Sequence, residues 1–211
     1  MEQKTDAFPH KLQLQYKIDC SLSNYQQLVE HDRWEFPSFE ACCQICGAAG
    51  CAKFHGFYSR EVVDEGGKGF EIWIARYLCH RKGEVHPGAH KTFSLLPHVL
   101  IPYKRYSAPL VYEVFEHSVA CGAGKTLDRY QPQLENLCER SIFWIMLMFQ
   151  AAFHLLVQAH FIQPTQRWQD AFISIVDSYS GGLPRLIMDL YVSENQFLFG
   201  TPSQKRKSFT T

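Results

Sequence analysis

Two rhythms of apolar and polar residues divide the chain. Between Phe57 and Leu78 the rhythm is close to two. Phe57-Tyr58-Ser59-Arg60-Glu61-Val62-Val63 reads as a strand, residues 64–69 as a turn, and Phe70 to Leu78 as the returning strand. The pattern predicts a β-hairpin. After Pro97 and Pro102, which interrupt regular structure, the rhythm becomes helical from Ser107 onward, with Leu110, Val111, Val114 and Phe115 on one face. Residues 127–137 predict a short second helix and residues 138 or 139 to 161 a long one. Residues 166–176 and 183–191 predict two more, with Gly181-Gly182 between them. The expected fold class is α+β, a small β-rich module followed by an all-α helical domain.

Outside these segments the pattern is weaker. Residues 1–37 have mixed polarity; Leu14, Leu22, Tyr25 and Leu28 can pack on a core, but the segment suggests no role of its own. Residues 203–211, with Lys205-Arg206-Lys207, are polar and read as a frayed end. The chain is thus expected to divide into an N-terminal extension (1–37), a β-rich module (38–106), a helical domain (107–200) and a tail (201–211). No internal repeat is visible.

Residues 141–164 contain no Asp, Glu, Lys or Arg, long enough to span a bilayer. Gln150, His154 and Gln158 recur every four residues and draw a polar stripe along a helix, which would be costly in lipid. The expectation is a mostly buried helix of a protein with no membrane association. Residues 1–6 lack the apolar stretch of a secretory signal, which points to the cytoplasm.

The 211 residues carry 46% hydrophobic and 20% charged side chains, a globular composition with zero formal net charge. The distribution is uneven. Residues 41–110 hold nine Lys and Arg against five Asp and Glu. A basic excess of this kind suits an anionic partner.

The eight cysteines change the picture most. Four lie between positions 42 and 51, which in a reducing compartment reads as metal binding rather than a disulfide framework. Cys43-Gln44-Ile45-Cys46-Gly47 has the spacing that presents two thiolates from one tight knuckle, the arrangement zinc favours. Cys79 ends the second predicted strand, and the hairpin returns it toward that knuckle. No second cysteine follows it in Cys79-His80-Arg81-Lys82, so the fourth ligand comes from elsewhere. Cys51 is the first choice, then His90, His86 and His55; Cys42 is an alternative to Cys43. The metal is expected to be structural Zn2+, because a catalytic zinc needs an open position and a nearby carboxylate base, and no glutamate stands where a deaminase motif would put it. A small β module gains from such a staple the folding free energy its core lacks.

Further residues carry a resemblance. Cys43 to Cys51 leads into His55-Gly56-Phe57-Tyr58-Ser59-Arg60. Then come Arg76-Tyr77-Leu78-Cys79, Lys91-Thr92-Phe93-Ser94-Leu95-Leu96-Pro97 and Ile101-Pro102-Tyr103-Lys104-Arg105-Tyr106-Ser107. This stretch resembles the N-terminal zinc ribbon of insertion-sequence transposases, and more closely an uncharacterised bacterial family of transposase-like zinc-ribbon proteins. The ending Phe197 to Gln204 resembles the same family. The resemblance implies a helix-turn-helix after the ribbon, within residues 127–149, with Glu139-Arg140-Ser141-Ile142-Phe143-Trp144 opening the recognition helix. In that role Lys91, Lys104 and Arg105 would meet phosphates, Arg140 and Ser141 would reach base edges, and Tyr103 and Tyr106 would stack or touch the backbone. The second half of the ribbon departs from the pattern by one cysteine, and the helix is almost uncharged after Arg140.

Other motifs are set aside. Cys121-Gly122-Ala123-Gly124-Lys125-Thr126 lacks the first glycine of a phosphate-binding loop, Val119 standing in its place, and no strand precedes it; it reads as a turn between helices. His154 and His160, six apart, lie on different helix faces. The helical half lacks the βα alternation and length of a ribonuclease-H-like recombinase domain. Two readings of function follow: a non-enzymatic zinc-ribbon protein that binds DNA, or an interaction module in which the ribbon and the apolar helix dock a protein partner or a second copy.

Overall fold

The computed structural model describes residues 12–64, 66–80, 92–102, 104–132, 134, 137–158 and 167–194. Among them are a four-stranded sheet and six helices in an α+β arrangement, with the β region N-terminal to most of the helices. In chain order the elements are β1 (Leu12–Tyr16), α1 (Leu22–Glu30), β2 (Ala52–Val63), β3 (Gly69–Cys79), β4 (Thr92–Pro97), α2 (Ala108–Cys121), α3 (Ala123–Tyr130), α4 (Glu139–Gln158), α5 (Trp168–Ser178) and α6 (Gly182–Glu194). The chain separates into two compact units. One comprises Met1–Tyr16, Cys20–Arg60 and Ile72–Leu96; the other comprises Lys17–Asp19, Glu61–Glu71 and Pro97–Thr211. Where the sequence reading uses consecutive blocks, these units interleave, because β2 and β3 run from one set of residues into the other.

The β-rich unit is built on a sheet of order β1-β4-β3-β2. β2 and β3 are sheet neighbours joined by so short a connection that only a hairpin can link them. β3 and β4 pair antiparallel with Tyr77 opposite Phe93, and their rings stack at 5.2 Å and 9°. Phe39 packs edge-on against both, each at 4.9 Å, and the Tyr77 hydroxyl donates to the Pro37 carbonyl at 3.0 Å. The N-terminal segment is therefore part of the structure rather than an appendage: β1 forms an edge of the sheet, and α1 is started by Ser21, whose hydroxyl accepts from the Asn24 N–H. α1 buries Leu22, Tyr25 and Val29, and the Tyr25 ring meets Trp34 edge-on at 5.0 Å. Mixed polarity concealed this role, since Gln13 and Gln15 in β1 are buried as well.

Gly56 lies inside β2 with φ of 116°, a region that an L side chain rarely adopts. It interrupts the two-residue alternation, and Phe54 and Phe57, three positions apart, come together on one face with ring centroids 5.1 Å apart. The predicted strand beginning at Phe57 therefore starts five residues earlier, at Ala52, before the irregularity.

The helical unit has an aromatic core. Phe115, Phe149 and Phe172 are fully buried, and Phe115 and Phe149 stack at 4.3 Å. Leu183, Leu186, Ile187 and Leu190 of α6 complete that core. A second cluster joins Val63, Leu110, Val114, Tyr130, Leu134, Leu137 and Ile142. α2 begins at Ser107, whose hydroxyl accepts from the Leu110 N–H, with a proline in the first turn. Gly122 alone, at φ of 84°, joins α2 to α3, so the expected turn of residues 121–126 contracts to one residue and Gly124 to Thr126 sit within α3. The short helix predicted at 127–137 ends at Tyr130, with Ala123 as its first residue.

α4 overturns the expectation of a mostly buried helix. By length and composition it could cross a membrane, yet only 28% of its most apolar stretch is buried. Ile142, Phe149, Ala152, Phe153 and Leu156 face the core, whereas Phe143, Trp144 and Leu147 keep 58%, 57% and 37% of their surface exposed. A helix packed along one stripe can bury only that stripe, whatever the composition of the opposite one. Among the described residues it is one helix of this length and apolarity, features that core helices of soluble proteins share.

Candidate metal centre

Cys43, Cys46, Cys51 and Cys79 converge in the β-rich unit with all four sulfurs within 4.8 Å of one another. The knuckle is closed by main-chain bonds. The Gly47 N–H donates to the Cys43 carbonyl at 2.8 Å, and the Cys43 N–H donates to the Ala48 carbonyl at 3.0 Å. Gly47 supplies the left-handed conformation this turn needs, at φ of 74°. The His80 N–H donates to the Cys51 carbonyl at 2.8 Å, tying the residue after β3 to the residue before β2. Cys51 and Cys79 therefore arrive together as a consequence of strand pairing. Cys43 and Cys79 are buried, and Cys46 and Cys51 are half-buried.

The donor set fits a four-coordinate ion. A zinc–thiolate bond near 2.3 Å implies an edge of about 3.8 Å between sulfurs of a regular tetrahedron. The Cys79 sulfur lies 3.7 Å from that of Cys46 and 3.9 Å from that of Cys51, and the Cys46 to Cys51 separation is 3.2 Å. These separations exceed an S–S bond of about 2.05 Å, and none of the four cysteines forms a disulfide. The electrostatics agree. Burial opposes ionisation of Cys46, but the Ala48 main chain and the thiols of Cys51, Cys79 and Cys43 outweigh it and bring its pKa down to about 7. Burial, followed by the neighbouring Cys46, Cys43 and Cys79, raises Cys51. The pocket thus favours ionisation of Cys46 over Cys51, and a bound divalent ion would favour the thiolate form of its ligands.

The alternative ligands fare differently. Cys42 is exposed, and its thiol points to the Gly47 carbonyl at 3.8 Å rather than into the cluster. His55 is exposed on β2 and is not among the converging donors. His86 and His90 lie outside the described residues.

The residues assigned to nucleic acid lie in several separate segments of the chain. Lys91 lies outside the described residues, as does Tyr103. Lys104 is exposed. Arg105 is ion-paired with Glu61 and lines a cavity of about 610 Å³ with Glu71, Phe70 and Tyr106. Arg140 is exposed in the first turn of α4. Ser141 is engaged at the start of that helix: its hydroxyl accepts from the Cys138 N–H at 3.4 Å and, with the neighbouring main chain and Arg140, lowers the pKa of the Cys138 thiol.

The exposed aromatic face of the hairpin was missed. Phe54, Phe57 and Trp73 retain 50%, 36% and 42% of their surface. The signal was present in Phe54-His55-Gly56-Phe57, since a glycine inside a strand pattern marks a bulge that can turn two rings to one side.

A family described only as a domain of unknown function (DUF6431) matches residues 43–130, from the first cysteine of the cluster to the last residue of α3. That description names no activity and does not connect the chain with transposases; α4, the expected recognition helix, lies beyond the matched residues. No curated protein and no solved structure matches the chain.

Proposed function

We propose that this chain is a non-enzymatic, zinc-stabilised DNA-binding protein, related to the ribbon-bearing part of a transposase without its catalytic domain. The observation that carries the reading is the set of four converging sulfurs, all within 4.8 Å of one another. Four thiolates fill the coordination sphere and leave no position for water or substrate, so the ion serves as a staple rather than a reagent. Metal content of the purified protein tests this first. Cys51→Ser should lose zinc, and His90→Ala should retain it; zinc retained in Cys51→Ser would refute the ligand set.

DNA as the partner is supported by the charge of the hairpin stem. Residues 52–60 and 72–80 hold Lys53, Arg60 and Arg76 and no carboxylate. Lys104 and Arg140 add exposed cations. Binding should weaken steeply between 50 and 200 mM salt, and Arg140→Ala and Lys104→Ala should each make the salt dependence shallower. Absence of binding, or binding indifferent to salt, would refute DNA as the partner.

A second reading rests on a different observation. Phe143, Trp144 and Leu147 form an exposed apolar face on α4, of the kind that docks a protein surface or a second copy. Light scattering decides it: a strict monomer in wild type, or an assembly unchanged by Trp144→Ser, would exclude this face as a self-association site.

A further inference from the structure

We propose that the face of the β-sheet opposite the exposed rings is the surface that holds DNA, through Lys53, Arg60 and Arg76 and the side-chain amides of Gln13 and Gln15. This rests on the DNA reading above and deepens it, by assigning the contact to one face of one unit.

Side-chain contacts and strand register sort the residues between the two faces. Phe57 meets Phe54 and Trp73, and Phe54 meets Tyr77, so these rings share one face. On the other face Arg76 lies over the Tyr58 ring at 4.8 Å, Gln13 donates to the Tyr58 hydroxyl at 3.5 Å, and Ser94 stands directly opposite Arg76. Alternation places Gln15 with Gln13 and Arg60 with Tyr58, and the irregularity at Gly56 leaves Lys53 and His55 on this side as well. All eight residues belong to the β-rich unit. Charge is therefore segregated by strand geometry. The carboxylates of the four described strands, Glu61 and Glu71, alternate onto the ring-bearing face, and the opposite face carries cations and no acid.

The same face holds polar groups that folding leaves unsatisfied. Gln13 and Gln15 keep only 9% and 7% of their surface exposed, yet neither Oε1 atom accepts a hydrogen bond. A buried acceptor without a donor costs stability. An amide offers a donor or an acceptor by a half-turn about its last bond, so these two can meet either a phosphate or a base edge. The absence of apolar anchors selects among anionic partners. Protein interfaces and lipid surfaces want large apolar side chains, and those this sheet exposes, Phe54, Phe57 and Trp73, project the other way. A second copy of this face would set cation against cation. A nucleic-acid backbone needs no such anchor: it is held by Lys and Arg together with Gln, Ser and Tyr, the residue types gathered here.

The test uses the full-length, metal-loaded protein and a fluorescein-labelled duplex of about twenty base pairs, read by anisotropy over a salt series. Lys53→Ala with Arg76→Ala should weaken binding by about tenfold or more and flatten the salt slope by about two, with zinc content at the wild-type value. Lys53→Ala alone, at an exposed position, is the milder variant should the double one fold poorly. Gln15→Leu should also weaken binding while the melting temperature holds or rises, because the change removes an unsatisfied buried acceptor. A purely structural glutamine gives the reverse, a lower melting temperature with affinity unchanged. Phe54→Ser, on the ring-bearing face, should leave affinity as in wild type. Affinity indifferent to Lys53, Arg76 and Gln15, or lost equally in Phe54→Ser, overturns the face and leaves the DNA reading to Lys104 and Arg140. Displacement of the duplex by polyglutamate at equal charge concentration reassigns the face to an acidic protein and overturns the proposal. Binding to no duplex overturns both readings.

Discussion

In the helical unit Phe115, Phe149 and Phe172 are fully buried, Phe115 stacked on Phe149 and Phe172 edge-on to both, with Leu186 and Leu190 in the same core. In the β-rich unit Phe54, Phe57 and Trp73 stay half in solvent, and four cysteines gather at the end of the hairpin stem. The first is a core that pays for itself by burial. The second buries Ile72, Ile74, Tyr77, Phe93, Leu95 and Leu96 but leaves other aromatic surface in water, and a metal ion held by the thiol cluster would add stability that the exposed rings do not. Exposed rings and a metal-sized thiol cluster in one unit belong to the same design: what burial does not contribute to stability, coordination can.

The largest effect that sharpens this contrast is metal removal. Exhaustive chelation, or Cys46→Ser, should abolish protection of β2, β3 and β4 amides in hydrogen exchange, while α2, α5 and α6 keep theirs, because structural zinc is worth on the order of 10 kcal/mol to a small domain. Equal protection of the β-strands before and after chelation would break the comparison. Next, Phe149→Ala should destabilise the helical unit by about 3–5 kcal/mol in a denaturant melt, the usual cost of deleting a buried aromatic ring. The same change at exposed Phe54 should cost well under that, and similar losses at both positions would contradict the difference in burial.

A smaller effect is expected at Gly56. A Cβ there meets nothing within 4 Å, so Gly56→Ala should cost about 1–3 kcal/mol through backbone strain alone, with zinc content unchanged. The smallest concerns Asp189. Its carboxylate is held below the ordinary range first by the Tyr179 hydroxyl, at 2.6 Å, and then by Arg185. A lowered pKa contributes stability that is present above the unfolded value of about 3.9 and disappears as pH falls through the folded one. Asp189→Asn should therefore lower stability slightly at neutral pH, by a few tenths of a kcal/mol at so exposed a site, and make no difference well below the folded pKa. A stability difference that persists in strong acid would assign the loss to something other than this carboxylate.

The elements that could be read in advance are those whose signal is local. The turn at residues 64–69 is legible because Asp64 accepts from the Gly66 and Lys68 N–H groups within a few residues of itself. The helices at Ala108, Glu139, Trp168 and Gly182 follow from periodicity and lie within a few residues of their predicted starts. β1 was not legible: its pairing partner, β4, is some eighty residues away, and buried glutamines disguise its face. The solvent face of α4 was not legible either, because Phe143 and Phe149 are the same residue type and only the neighbouring helices distinguish the packed stripe from the open one.

The candidate site divides in the same way. Cys43 and Cys46 are determined by sequence alone, since a three-residue step across a glycine-closed turn brings two sulfurs together whatever the rest of the chain does. The convergence of Cys51 and Cys79 on that knuckle depended on β2 and β3 pairing, with the His80 N–H bonded to the Cys51 carbonyl. A tetrahedron is a statement about four positions in space. Spacing along the chain settles two of them, and the sheet decides the others, because a hairpin's register places residues some thirty apart in contact without leaving a periodicity to read.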